Sequence, residues 1–244
     1  MVATDEANRK RVICVSMKLV YTFLVLLSCC VFAVGLYIMI MRDQMMIRNA
    51  ERENWNTVRW YIEVLKANPN AMNADGYTAL WYAVFYGSRW STGMLLECGS
   101  DTKVQCGPAG DTPLHVAAGK GDRLLVDLLL SKRADINANN KLGYTPLWSA
   151  AIGSPSMFYY LLSKGAHLEG LKHPRFGNLL HFAACNRYQD TAFLQYIISL
   201  GCDPFEKDAD GETCFDEARA AQLPVTEAFF RSLEKKEDRQ EKDR

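Results

Sequence analysis

The sequence predicts an all-α protein: a solenoid of about five stacked helix pairs with a cap at each end, preceded by one transmembrane helix. Three observations carry that prediction. An uncharged, mostly apolar run fills residues 19–41. A related string recurs five times at nearly constant spacing from Gly76 onward. Within the recurrences, apolar residues fall at helical spacing.

The apolar run comes first in the chain. Its 23 residues, between Lys18 and Arg42, would form a helix about 35 Å long at about 1.5 Å per residue, enough for about 30 Å of bilayer hydrocarbon. Tyr21 and Tyr37 lie near its two ends, where amphipathic rings favour the interface. It is too long for a secretory signal, and no A-x-A pattern follows it. A second reading stays open. "LLSC" (Leu26 to Cys29) resembles a bacterial lipobox, with Cys29 as the residue to be lipidated and Met17 as a possible start. Twelve further uncharged residues after Cys29 favour the uncleaved anchor. Arg9, Lys10, Arg11 and Lys18 precede the run, and Arg42, Arg48 and Arg52 follow it. This bias puts residues 1–18 in the cytoplasm as a short tail, and the bulk of the chain outside, on the periplasmic or extracytoplasmic side of the inner membrane.

The recurrences start at Gly76, Gly110, Gly143, Gly177 and Gly211. Their equivalent positions are Thr78, Thr112, Thr145, Asn178 and Thr213, spaced 34, 33, 33 and 35 residues apart. The threonine sits where its hydroxyl can cap a helix, and Pro113 and Pro146 suit the first helical turn. Leu114, Ala117 and Ala118, then Leu125, Val126, Leu128 and Leu129, make two apolar faces. Gly99, Gly165 and Gly201 follow the second helices as caps that accept positive φ. One such unit cannot bury its apolar face alone, so neighbours must stack. The period and the strings "TPLHVAA", "LLLSKRADIN" and "LLSKGA" resemble the ankyrin-repeat family over residues 54–230.

The ends read as caps: residues 42–73 before the repeats of 74–210, and 211–233 after them. In the first cap Asn73 is matched with Asn137, and the first helix is placed at Asp43 to Glu53. Pro224 marks the junction of the last pair, and residues 234–244 read as a frayed, charged tail. Four departures stand out. Asn178 and Leu179 replace Thr-Pro, the finger before them is one residue short, Arg133 replaces a glycine, and Ser91 and Thr92 occupy core positions.

Composition and motifs narrow the chemistry. Lys plus Arg and Asp plus Glu both number 28, so no basic excess points to nucleic acid. Four histidines include His115 and His181 in the "TPLH" slot, a structural position, and His167 and His173 in turns with no partner nucleophile. No phosphate loop, G-x-S-x-G or H-E-x-x-H pattern occurs, and no zinc spacing or cofactor motif. "DADGET" near Asp208 lacks the spaced ligands of a calcium loop. Eight cysteines show no CxxC pair. Cys98, Cys185, Cys202 and Cys214 take small-residue positions, and Cys106, in a finger, is expected to be the most exposed. Nothing supplies an enzyme's acid-base pair or a small-molecule site.

The resemblance implies a protein partner bound along fingertips and the concave face of the first helices. Carried onto this chain it points to Asp75, Tyr77, Phe85 and Tyr86, then Ala109, Asp111 and Lys120. It continues through Leu142, Tyr144 and Ile152 to Arg175, Phe176 and Asn186. On this reading Tyr77→Ala with Tyr86→Ala weakens binding and leaves folding alone. The short chain and single anchor are also similar to small bacterial ankyrin proteins. Some of those are immunity proteins that neutralise type VI secretion effectors, phospholipases among them, in the periplasm. The other class is a membrane-tethered scaffold or adaptor for an enzyme or transporter complex.

Overall fold

The computed structural model describes residues 35, 37, 41–168, 172–173, 177–185 and 189–242. The apolar run at 19–41 lies outside them apart from Gly35, Tyr37 and Met41, as do Cys29 and the basic residues before it. Among the described residues no helix is long and apolar enough to cross a membrane.

Helix α1 (residues 41–51) and α2 (Trp55–Glu63) form the N-terminal cap. Four helix pairs follow: α3 (Ala79–Phe85) with α4 (Arg89–Glu97), α5 (Pro113–Lys120) with α6 (Arg123–Ser131), α7 (Pro146–Gly153) with α8 (Pro155–Ser163), and α9 (Leu179–Ala184) with α10 (Thr191–Ser199). The last pair is α11 (Cys214–Ala220) with α12 (Pro224–Lys242). First helices α3, α5, α7, α9 and α11 stack in that order. Among the described residues the stack thus holds four helix pairs between two capping pairs, against about five pairs expected. The charge run at the C-terminus continues α12 as helical backbone to Lys242.

The described residues are not wholly helical. β1 (Lys172–His173) and β2 (Gly177–Asn178) pair antiparallel, with Lys172 opposite Asn178 and His173 opposite Gly177. The reason lies in how each finger closes. Asn73 Oδ1 accepts from the Asp75 and Tyr77 amides, Asn140 Oδ1 from those of Leu142 and Tyr144, and Asp208 Oδ1 from those of Asp210 and Glu212. Each of these side-chain turns accompanies one backbone bond across the finger, from the Asn73, Asn140 and Asp208 amides to the Tyr77, Tyr144 and Glu212 carbonyls. The equivalent residues of the other two fingers are Gly107 and His173, and there backbone pairing closes the hairpin, as an isolated Cys106–Asp111 bridge or as β1–β2. This also corrects the alignment of the cap: Asn73 is equivalent to Asn140. It is Asn70 that matches Asn137, each accepting a backbone N–H from the next repeat, of Asp101 and His167.

The helix caps follow the sequence in part. Thr78 and Thr213 accept from the Trp81 and Asp216 amides, and Asn178, standing for threonine, accepts from Leu180. Thr112 instead directs its hydroxyl to His115 Nδ1 at 2.8 Å. Gly99, Gly165 and Gly201 have φ of +90°, +92° and +95°, and Arg133 holds the same left-handed place at +64°. That costs a β-carbon residue about 1–2 kcal/mol. Arg133→Gly, after its own entropic penalty of about 0.5–1 kcal/mol, is expected to raise stability slightly. A urea midpoint that falls would contradict this.

Core positions are filled by small and aliphatic side chains, including Ala83, Ala117, Ala118, Ala150 and Ala151. Ser91 and Thr92 are fully buried, yet satisfied: Ser91 Oγ lies 2.6 Å from Ser88 Oγ, and Thr92 donates to the Ser88 carbonyl at 2.8 Å. They stitch the start of α4 and need no covering partner. Cys106 is not the exposed thiol expected. It is 2% exposed, with Sγ 3.6 Å from Thr78 Oγ1, because the finger folds it back onto the preceding repeat's cap. Cys98, Cys106, Cys185 and Cys214 are free thiols.

Candidate partner-binding face

The two "TPLH" histidines set the geometry from which the face is built. His115 Nδ1 accepts from the Thr112 amide at 3.2 Å, so its proton sits on Nε2, which donates to the Tyr144 carbonyl at 2.9 Å. His181 repeats the pattern, with Nδ1 bonded to the Asn178 amide and Nε2 facing the Glu212 carbonyl at 3.3 Å. Each ring therefore ties one helix cap to the next finger. Burial holds the His115 pKa below its ordinary value. A folded-state pKa below the unfolded one means that the unfolded chain binds more protons at mildly acid pH. The stability from His115 is complete above about pH 6.5 and falls as pH drops toward the lowered folded-state pKa. His115→Gln should show a shallower acid limb in pH-dependent unfolding; identical limbs would contradict the assignment.

The expected contact residues divide into three groups. Asp75, Phe85, Tyr86, Lys120, Leu142 and Ile152 are exposed. Tyr77, Ala109, Asp111 and Tyr144 are half-buried and serve the fold. Asp111 accepts from Asn140 Nδ2 at 2.7 Å, joining two fingers. The Tyr77 ring covers the Gly107 backbone so closely that a β-carbon there would meet it at 2.6 Å. Tyr144 packs on Trp148 and Phe182, with centroids 5.2 and 5.0 Å away. Arg175, Phe176 and Asn186 lie outside the described residues. The Tyr77→Ala, Tyr86→Ala expectation is corrected accordingly. Tyr77 packs two repeats together, and Tyr86 donates to the Glu51 carbonyl of α1 at 2.8 Å, so the pair would loosen the fold.

What is left exposed is a ledge on the last turns of the first helices. Phe85 is 43% exposed and stacks on Trp81, centroids 4.8 Å apart and planes 11° from parallel. Lys120 Nζ lies 4.8 Å over the Phe85 ring and donates to the Phe85 carbonyl. Ile152, 41% exposed, holds the matching place on α7. Stacking on Trp81 presets the Phe85 rotamer, so little side-chain entropy remains to be lost on contact. Trp81 itself was missed in the sequence. The signal was there, since it stands three residues after Thr78, in the slot held by histidine in two other repeats. Among the described residues no group of three His, Cys, Asp or Glu side chains could hold a metal ion.

Comparison with known proteins agrees with this architecture. The family profile described as "Ankyrin repeats (3 copies)" matches residues 87–172. The chain is 30% identical over 163 residues to a transient receptor potential cation channel subfamily A member 1 homolog of Caenorhabditis elegans, covering 64% of this chain and 13% of that protein. It is 44% identical over 77 residues to the regulatory protein NPR5 of Arabidopsis thaliana, covering 31% and 16%. It is 29% identical over 137 residues to the tyrosine-protein kinase Shark of Drosophila melanogaster, covering 56% and 14%. The chain thus spans a small part of each relative's length. Residues 87–172 carry ankyrin repeats, a module of protein–protein interaction.

Proposed function

We propose that this chain is a membrane-tethered binding module that holds or blocks one protein partner on its concave first-helix face. The observation that carries the reading is the preset ledge of Phe85, stacked on Trp81 and capped by Lys120, continuing to Ile152. Exposed aromatic anchors of this kind dominate interface energetics. The tether is the run at 19–41, with the repeats on the extracytoplasmic side.

A photo-crosslinking residue at position 85 is expected to give one discrete adduct in cells, and the same residue at Leu124, on α6, none. Phe85→Ala should weaken binding of that partner by about 2 kcal/mol or more without moving the unfolding midpoint. Equal adducts from both positions would overturn the reading. Resistance to alkaline extraction, with a reporter fused after Arg244, tests the tether and its orientation.

The narrower form of this reading is an immunity protein that neutralises a type VI effector, such as a phospholipase, in the periplasm. It rests on the apolar run at 19–41 and the orientation expected for it. Protection of cells against an effector encoded beside the gene would support it, and loss of that protection with Phe85→Ala would place it on this face. A cytoplasmic orientation would favour the scaffold or adaptor instead.

A further inference from the structure

The far end of the concave face differs in chemistry from the aromatic ledge. Residues 203–217 contain seven carboxylates against one lysine, Lys207. Beyond them Arg219 is ion-paired to Asp216 at 3.0 Å. A cavity of about 190 Å³ opens in this region, lined by Ile152, His181, Phe182, Cys185, Asp208 and Glu217. One wall is apolar, with Ile152 from the last turn of α7 and the half-buried Phe182 ring from α9. The other carries two carboxylates from separate elements, Asp208 of the last finger and Glu217 of α11.

Both carboxylates are held in place. Asp208 Oδ1 accepts two backbone N–H groups of its own turn, from Asp210 and Glu212. The Cys185 thiol donates to Glu217 Oε2 at 3.6 Å. Burial, with Glu217 beside it, pushes that thiol up to about 11, so it stays a protonated donor at neutral pH. The two ring nitrogens of His181 are engaged with Asn178 and Glu212. Among the described residues neither Asp208 nor Glu217 forms an ion pair with a lysine or arginine. A carboxylate pair beside an apolar wall complements one kind of side chain, a long aliphatic stem that ends in a cation.

We propose that this cavity receives a lysine or arginine side chain of the protein partner, its stem between Ile152 and Phe182 and its cationic head at Asp208 and Glu217. The proposal rests on the reading of the concave face as the binding face, and it adds the chemistry that face selects. The acidic surround would also attract a basic partner surface at long range, in a salt-dependent way.

The test uses the full chain in lipid nanodiscs, with the Ile152 methyl resonance assigned through Ile152→Val. The probes are the N-acetyl methylamides of arginine, lysine, norleucine and glutamate. A saturable Ile152 shift is expected with at least one basic probe, and about tenfold weaker affinity for norleucine, the uncharged stem, equivalent to about 1.4 kcal/mol. Asp208→Asn with Glu217→Gln keeps an acceptor oxygen at both positions, so the finger turn and the Cys185 contact survive. That variant should lose about tenfold or more in basic-probe affinity with unchanged circular dichroism. Equal shifts from norleucine, no shift at all, or full affinity in the double variant would each overturn the proposal. Failure of the probes while the crosslink from position 85 persists would remove the basic-side-chain site and leave the binding-face reading intact.

Discussion

Gly153→Ala is expected to cost this protein about 3 kcal/mol or more, though alanine is the better helix former by about 1 kcal/mol. A β-carbon at Gly153 would lie 1.8 Å from the Gly119 carbonyl oxygen and 2.6 Å from its carbonyl carbon. Those atoms belong to the backbone of α5, so no rotamer change can relieve the clash. α7 would have to move away from α5, opening an interface in the middle of the stack. In a solenoid each repeat is held by its neighbours, so the loss should spread to both sides of the break. Hydrogen exchange should show weakened protection in α5 and α7 together, and the denaturant midpoint should fall. The control is Gly119→Ala, where the nearest atoms would be the Ser149 oxygen and Cβ at 3.6 and 3.7 Å, ordinary contacts. It should be neutral or mildly stabilising. Equal midpoints for Gly153→Ala and the parent chain would mean that the two helices do not approach as closely as described.

Leu129→Ala should cost about 2–5 kcal/mol. Leu129 is fully buried in α6, and its carbonyl accepts from the amides of Lys132 and Ala134, where the second helix ends. Removing its branched end leaves a cavity in the shared core that Leu125, equally buried one turn earlier, cannot fill without leaving its own place. For a chain of this size that loss corresponds to a fall in melting temperature of roughly 4–20 °C. An unchanged melting temperature would contradict the stacked-helix core. Leu124, five residues earlier and 54% exposed, is the matched control, and truncating it should change little.

The two substitutions differ in how they could be foreseen. Leu129 stands in a helical apolar pattern, so its burial follows from nearby chain alone. The same holds for the five-fold period, for the left-handed glycines after the second helices and for the histidines of the "TPLH" slot. Helix hydrogen bonds close over three or four residues, and the stacking of similar units follows from their repetition.

Gly153 looked unremarkable in the sequence because its constraint comes from Gly119, a whole repeat away. The other corrections share that cause. Cys106 is buried by Thr78, Tyr77 is committed to Gly107, and Asp111 to Asn140, each across a repeat boundary. The carboxylates of Asp208 and Glu217 meet Ile152 and Phe182 only once three repeats are stacked. The sequence by itself determined the repeating unit, its caps and the residue types offered to a partner. The tertiary structure decided which of those side chains remain free for one, because burial depends on residues about 30 positions apart that only the stacking of the repeats brings together.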